Sequence, residues 1–255
     1  MPGIHLNAVR SARLVPFGRP RKRDSLMGIV FYDLKGQDGR NFSPYCWRIR
    51  MALAHKGLDF EHRGTAFTEI KDLAGGKFKT VPIIENNGQV ICDSTKIAKH
   101  LEDEYSDRPS LFGGMAGEAL CKFVHSWTNA VVHPGIARSV ILDIYHHVCD
   151  HDRDYLRTSR EKIFGMSLED VQSGREERLE DFRTSLYPLR LTVRSQPFLG
   201  GEQPNYADYI VYGALQWART ISEFRLLADD DPVFVWFLRV GKLYDGLGRE
   251  APGYY

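Results

Sequence analysis

The sequence predicts an α/β half followed by an all-helical half. Two observations carry this expectation. Between Gly28 and about residue 106, short apolar runs alternate with helical patterns and a Gly-marked hairpin, whereas beyond a Gly- and Pro-containing stretch apolar residues recur only at helical steps. A chain of 255 residues is long enough for two modest domains. The expected boundaries are a basic tail or over-extended start at 1–27, the α/β unit at 28–106, a linker at 107–116 and the helical unit at 117–255.

Composition narrows the class. Hydrophobic residues at 43% and charged residues at 26% are ordinary for a globular protein. No run approaches the roughly 18 consecutive apolar residues of a membrane span. The four cysteines, Cys46, Cys92, Cys121 and Cys149, form no C-x-x-C pair, so no disulfide framework and a reducing compartment are expected. The formal charge of +1 hides a tail in which Arg10, Arg13, Arg19, Arg21, Lys22 and Arg23 face one acid, Asp24. The remainder is mildly acidic, which argues against nucleic acid as a partner. The tail is expected to be disordered, and its Arg-rich composition is also that of a mitochondrial transit peptide, without a clear amphipathic helix.

From Gly28 a strand is expected over Ile29 to Leu34, and after a Gly-rich loop a helix over Pro44 to His55. Pro suits the first helical position because the amide it lacks would have no partner there, which makes Ser43 the N-cap. The Ser43 hydroxyl then stands at the positive end of a helix, where a thiolate or other anion is stabilised. Ser43-Pro44-Tyr45-Cys46 is one atom away from C-P-Y-C, the tetrapeptide of glutaredoxins, in which the first thiol is the exposed nucleophile. A hydroxyl cannot form a mixed disulfide, but it can hold the sulfur of another molecule. The same residues also fit an ordinary Ser-Pro cap. Gly57 follows His55 and Lys56 as a C′ residue, and an extended stretch near Leu58 to Arg63 completes a β-α-β unit.

Lys79-Thr80-Val81-Pro82-Ile83-Ile84 is the next informative stretch. Pro at a strand entrance belongs at an edge or bend, and a cis Val81–Pro82 bond would leave the Val81 N–H and C=O facing outward, ready to pair with a peptide-shaped ligand. Asn86-Asn87-Gly88 supplies a hairpin turn and Gln89 to Cys92 returns antiparallel. Asp93 and Ser94 open the next helix, whose apolar face is Ile97, Ala98 and Leu101. Their oxygens and the first amides suit a ligand end carrying both ammonium and carboxylate, and equally a plain cap.

In the helical half, Phe123, Trp127 and Val131 are expected on one buried face, and Leu179, Phe182, Leu186, Leu189 and Val193 on another with Ser167 and Asp170 at its N-cap. Asn205 and Asp208 form a structural capping box, and Asp231-Pro232 begins a last helix that Gly246 or Gly248 should end. Tyr145-His146-His147-Val148-Cys149-Asp150-His151 is rich in ligand types, but neighbours at one- and two-residue steps share no helical face, so no metal is expected.

From about Gly28 onward the chain resembles the glutathione S-transferases: a Ser-Pro helix tip after the first strand, Val-Pro before a hairpin, Asp-Ser opening the next helix, and an N-x-x-D box in a helical second half. Longer stretches, Ser43-Pro44-Tyr45-Cys46-Trp47-Arg48, Ala54-His55-Lys56-Gly57, Asp107-Arg108-Pro109 with Leu111-Phe112, Ser159-Arg160-Glu161, Leu168-Glu169-Asp170-Val171, Gly174-Arg175-Glu176 and Asp245-Gly246-Leu247-Gly248-Arg249, are similar to the bacterial lignin β-etherases and their etherase-like fungal relatives. The resemblance implies a thioredoxin-like N-terminal domain, a helical C-terminal domain, glutathione as co-substrate, an aromatic or hydrophobic electrophile as acceptor, and a cytoplasmic homodimer. Carried over, Ser43 would hydrogen-bond the glutathione sulfur, with Asn41 or a backbone amide as the other candidate donor. Val81 would pair with the cysteinyl backbone, Asp93 and Ser94 would hold the γ-glutamyl group, Lys79 the glycyl carboxylate, and Phe42 and Pro82 belong to the same glutathione site. Thr80 departs from the basic or amide residue common before Val-Pro. Tyr45, Tyr145, His146, Arg157 and Arg160 are the candidates for the acceptor pocket, all but Tyr145 as hosts for a leaving oxygen. A non-catalytic glutathione-binding protein of the same fold is the competing function, and redox chemistry through Cys46 is disfavoured because Ser43 takes the exposed position.

Overall fold

The computed structural model describes residues 28–255, and the expectations for residues 1–27 lie outside the described residues. The first half contains β1 (Ile29–Leu34), α1 (Pro44–His55), β2 (Phe60–Thr65), β3 (Ile83–Asn86), β4 (Gln89–Cys92) and α2 (Ser94–Glu104). The strands form one mixed sheet in the order β2-β1-β3-β4, with β1 parallel to β2 and antiparallel to β3. β2 starts later than its pattern suggested because the end of α1 runs on, the Leu58 N–H bonding to the Leu53 carbonyl at 3.0 Å. A 3₁₀ stretch, Phe67–Gly76, for which the sequence offered no signal, follows it.

All-helical structure follows, in α3 (Met115–Trp127), α4 (His133–His147), α5 (Arg153–Phe164), α6 (Leu168–Gln172), α7 (Leu179–Ser185), α8 (Tyr187–Ser195), α9 (Tyr206–Ile221), α10 (Pro232–Gly241) and α11 (Leu243–Gly246). Three expectations need correction here. Phe123 is 69% exposed, and the buried stripe is Cys121, Val124, Thr128 and Val132, at three- and four-residue steps on the neighbouring face of the helix; a π-helical turn over Thr128–Val132 joins α3 to α4. The Leu179 to Val193 face is two helices, broken where Pro188 follows Tyr187, and Ser167 caps α6 instead. α10 ends at Gly241, and Gly246 ends the separate short α11. Among the described residues no helix is long and apolar enough to cross a membrane.

The halves are joined by α1 packing on α9. Gly213 lies in the middle of α9, a position where glycine costs about 1 kcal/mol relative to alanine. The reason for it is proximity: a Cβ there would come within 2.4 Å of the Pro44 carbonyl oxygen and 3.3 Å of Arg48 Cγ. A second tie is Lys56, which is 1% exposed at the end of α1. Its ammonium reaches Glu102 at 2.9 Å and the Tyr105 and Pro109 carbonyls at 3.1 and 3.2 Å, fastening α1 to α2 and the connection beyond it. A third is Asp152, also buried, whose carboxylate accepts from the Phe67 and Thr68 amides at 2.6 and 2.8 Å and so pins the 3₁₀ stretch to the start of α5.

Two stability outcomes follow. Helix propensity alone would make Gly213→Ala stabilising; the close approach makes it destabilising instead, by about 1–3 kcal/mol, which thermal unfolding reads by its sign. Burial pushes the Glu102 carboxyl up, but the Ser110 hydroxyl, Lys56 and the Leu111 amide outweigh it and hold the pKa below its ordinary 4.5. A group lowered on folding contributes stability above its unfolded value and loses it as pH falls through the folded one. Glu102→Gln should therefore cost about 1–3 kcal/mol at neutral pH, and the gap from the parent chain should close below about pH 4.5 in chemical denaturation.

Candidate functional site

A cleft of about 790 Å³ opens between the two halves. One wall is the tip of α1, the approach to β3 and the start of α2. The other is α4 and α5, with Phe67 of the 3₁₀ stretch at one side. Of the residues expected at the site, Phe42, Ser43, Tyr45, Lys79, Thr80, Val81, Pro82, Asp93, Ser94 and Arg160 line it, and Asn41, Tyr145, His146 and Arg157 do not.

Ser43 is the N-cap of α1, its Oγ accepting from the Cys46 amide at 3.2 Å. The Trp47 amide bonds to the Ser43 carbonyl at 3.0 Å and Pro44 has no N–H, so the Tyr45 amide is the first-turn donor left over. Among the described residues the Ser43 hydroxyl hydrogen has no oxygen or nitrogen acceptor; the one group within its reach is the buried Cys46 sulfur, a weak acceptor. The tip of α1 therefore offers one hydroxyl and one amide hydrogen to an anion in the cleft. Cys46 offers nothing, because it is fully buried and its thiol is pushed well up by burial and by the nearby Asp33. Asn41 is turned away: its Nδ2 donates to the Leu34 carbonyl at 3.2 Å and its Oδ1 accepts from Arg50 at 3.0 Å.

Val81, joined to Pro82 by a cis bond, precedes β3, and among the described residues its N–H and C=O make no backbone hydrogen bond. Asp93 caps α2 through Oδ1, which accepts from the Thr95 and Lys96 amides at 2.9 and 3.0 Å. Its φ of +87° is rare for a residue with a Cβ and marks a conformation held by its surroundings. The second carboxylate oxygen has no partner among the described residues, and Ser94 beside it is buried. Lys79 and Thr80 are exposed at the rim.

Helical phase decides the far wall. On α4 the cleft takes His133, Pro134, Ala137, Ile141 and Ile144, and on α5 Tyr155, Leu156, Arg160, Ile163 and Phe164, sets that advance mostly by three- and four-residue steps. Tyr145 and His146 follow Ile144 on other faces, stacked edge to face at 5.6 Å. Arg157 leaves the cleft for Glu161 at 2.8 Å and Glu169 at 2.8 and 3.0 Å, with its guanidinium 4.6 Å over the Tyr145 ring. Arg160 stays, 5.6 Å over Phe67, and burial lowers its pKa. Among the described residues no group of three or more His, Cys, Asp or Glu side chains stands close enough to hold a metal.

Beside Ser43 the fold assembles a polar ring that the sequence did not reveal. Arg48, fully buried, places its two terminal nitrogens 3.2 Å from His125 Nδ1 and 3.3 Å from His133 Nε2. His133 Nδ1 lies 3.2 Å from Tyr45 Oη, Tyr45 Oη lies 3.5 Å from the Asn129 amide, and that amide lies 2.8 Å from His125 Nε2. The guanidinium also sits 4.5 Å over the Tyr45 ring. Among the described residues no carboxylate pairs with Arg48. Burial, and then the Arg48 charge, lower the pKa of His125 and lower that of His133 to about 3, so both imidazoles are neutral at neutral pH.

Comparison with known proteins gives this arrangement its place. Residues 39–109 match the glutathione S-transferase N-terminal domain and residues 119–225 the glutathione S-transferase C-terminal domain, together well over half of the chain. The chain is 27% identical to a glutathione S-transferase-like protein, ustS, of Aspergillus flavus over 220 residues, 74% of this chain and 78% of that one. It is similar to the crystal structure of glutathione transferase GSTFuA2 from Phanerochaete chrysosporium, with TM-score 0.69, 25% identity and coverage of 87% and 94% of the two chains. A glutathione S-transferase of Ceriporiopsis subvermispora, solved in complex with glutathione, shares the fold at TM-score 0.71 and 21% identity, over 89% and 99% of the chains. The expected thioredoxin-like sheet half followed by a helical half is borne out, and the chain belongs to the glutathione S-transferase family.

Proposed function

We propose that this cleft binds glutathione as co-substrate, ionises its thiol beside Ser43 and directs the thiolate onto an electrophilic carbon of an aromatic acceptor, with cleavage of a β-aryl ether as the specific reaction. The observation that carries the proposal is the tip of α1, where a buried hydroxyl with no oxygen or nitrogen acceptor for its hydrogen and a free amide face a cleft whose far wall is largely apolar. A charge-assisted hydrogen bond is worth about 1.5–3 kcal/mol and a helix N-terminus about 0.3–2 kcal/mol. At about 1.36 kcal/mol per pKa unit, and after the cost of burying the anion, these lower a thiol pKa by roughly one to three, enough to ionise it near neutral pH.

In this reading the Val81 backbone pairs with the cysteinyl residue, the free Asp93 oxygen takes the γ-glutamyl ammonium and Ser94 its carboxylate. Lys79 at the rim takes the glycyl end, with Thr80, Phe42 and Pro82 shaping the passage. Tyr45 and Arg160 face the acceptor; Tyr145, His146 and Arg157, turned elsewhere, have no part in it. A cytoplasmic homodimer, the usual state of such proteins, completes the proposal.

The test supplies glutathione with a β-aryloxy ketone and measures released phenol. Turnover of a chloro-nitroaromatic without phenol release would remove the ether-cleaving part, and glutathione affinity without turnover of either would make the protein a carrier. Ser43→Ala should lower kcat/KM roughly 10- to 100-fold and move the pH–rate midpoint upward, since a less stabilised thiolate forms at higher pH. Loss of activity in Cys46→Ser but not in Ser43→Ala would point to redox chemistry instead.

A further inference from the structure

The ring of Tyr45, Arg48, His125, Asn129 and His133 has one consistent arrangement of protons. A guanidinium has only hydrogens to offer, so His125 Nδ1 and His133 Nε2, at 3.2 and 3.3 Å, both accept from Arg48. Each imidazole, being neutral, then carries its hydrogen on the other nitrogen. His133 Nδ1–H donates to Tyr45 Oη at 3.2 Å. His125 Nε2–H needs an acceptor 2.8 Å away, which turns the Asn129 amide so that its oxygen faces His125 and its NH₂ faces Tyr45. Tyr45 Oη thus receives hydrogens from the ring and gives none back. Its own hydrogen is free, and Tyr45 lines the cleft two residues from Ser43.

We propose that Tyr45 is the acid of this cleft: its hydroxyl gives its hydrogen to the substrate oxygen that becomes negative as the thiolate attacks, so the site selects electrophiles whose displaced electron pair ends on oxygen. This rests on the glutathione transferase reading. In a β-aryloxy ketone the sulfur bonds to the carbon bearing the aryloxy group, and the carbon–oxygen bond breaks with its electron pair moving to oxygen. The Tyr45 proton passes to that oxygen and a neutral phenol leaves. The tyrosinate, with Arg48 4.5 Å over its ring, is then reprotonated from water by the equivalent of the proton glutathione released on ionising.

The surrounding structure fits this role. A buried cation with no carboxylate partner is costly unless something nearby gains from its charge. The π-helical turn, in which the His133 N–H reaches back five residues to the Thr128 carbonyl, brings residues four apart nearly into line, so that His125, Asn129 and His133 present one row. Arg48, His125, Asn129 and His133 are positioning residues; of the five ring members only Tyr45 touches the reacting atoms.

The experiment measures kcat for phenol release from a β-aryloxy ketone and for chloride release from benzyl chloride, at saturating glutathione. The second acceptor places no charge on oxygen. Tyr45→Phe should lower the phenol-to-chloride ratio by on the order of 100-fold, as loss of an oxyanion donor does. His133→Phe, which keeps the hydroxyl but removes its donor, should lower it about 10-fold, and Ser43→Ala should slow both reactions together. A ratio that Tyr45→Phe leaves within about twofold, or chloride release without phenol release from the parent chain, overturns the proposal and leaves the transferase reading standing. Release of neither overturns both.

Discussion

The close passage of α1 across Gly213 of α9 is the contact on which the cleft depends. With no side chain at that position, the Pro44 carbonyl and the Arg48 stem sit against the α9 backbone. α1 carries the Ser43 cap at its tip and Arg48 one turn along, so a single crossing sets both against the second half. Were α1 lifted by the thickness of a methyl group, the tip would move relative to α4, and the guanidinium contacts of 3.2 and 3.3 Å to His125 and His133 would open. The fold accepts a weaker helix at Gly213 in return for that proximity.

The cleft so formed has two electropositive features on one wall, produced by different means. At Ser43 the field comes from backbone dipoles that exist in any helix and need only a cap that leaves hydrogens free. At Tyr45 it comes from a full charge, buried one turn further on and connected to the surface through neutral imidazoles. Burial opposes the charge on Arg48, and Tyr206, Tyr45 and Asp93 act against that loss without any of them forming an ion pair with it. The opposite wall, apart from His133 and Arg160, is largely aliphatic and aromatic, so water there is easily displaced by an aromatic ring. An anion forming between the walls meets donors on one side and little competing solvent on the other.

The expectations for the second half failed in an instructive pattern. Phe123 was placed on a buried face because Phe123, Trp127 and Val131 repeat at four-residue steps, yet the neighbouring stripe through Val124 and Thr128, spaced equally well, is the one turned inward. Arg157 and Arg160 are indistinguishable by residue type, but one finds Glu161 and Glu169 on its own side of α5 while the other faces Phe67 across the cleft. His146, in a stretch crowded with polar rings, lies two residues past Ile144, the last α4 residue in the cleft lining. In each case the deciding quantity is the rotation of a helix about its axis, and short-range patterns leave that rotation free by a third of a turn.

The amino-acid sequence by itself determined the features whose hydrogen bonds close within about four residues. These are the Ser43 cap with Pro44 behind it, the Asn87-Gly88 turn, the Asp93 cap and the Asn205–Asp208 box, and all of them stand where the residue pattern put them. Local donors and acceptors meet in the same way whatever the rest of the chain does, which is why those positions could be read directly. Only the tertiary structure decided that Tyr45 and Arg48 meet His125, Asn129 and His133, residues about eighty positions away. That meeting requires a glycine crossing, a π turn and two docked halves at once, and no single stretch of residues contains the information for all three.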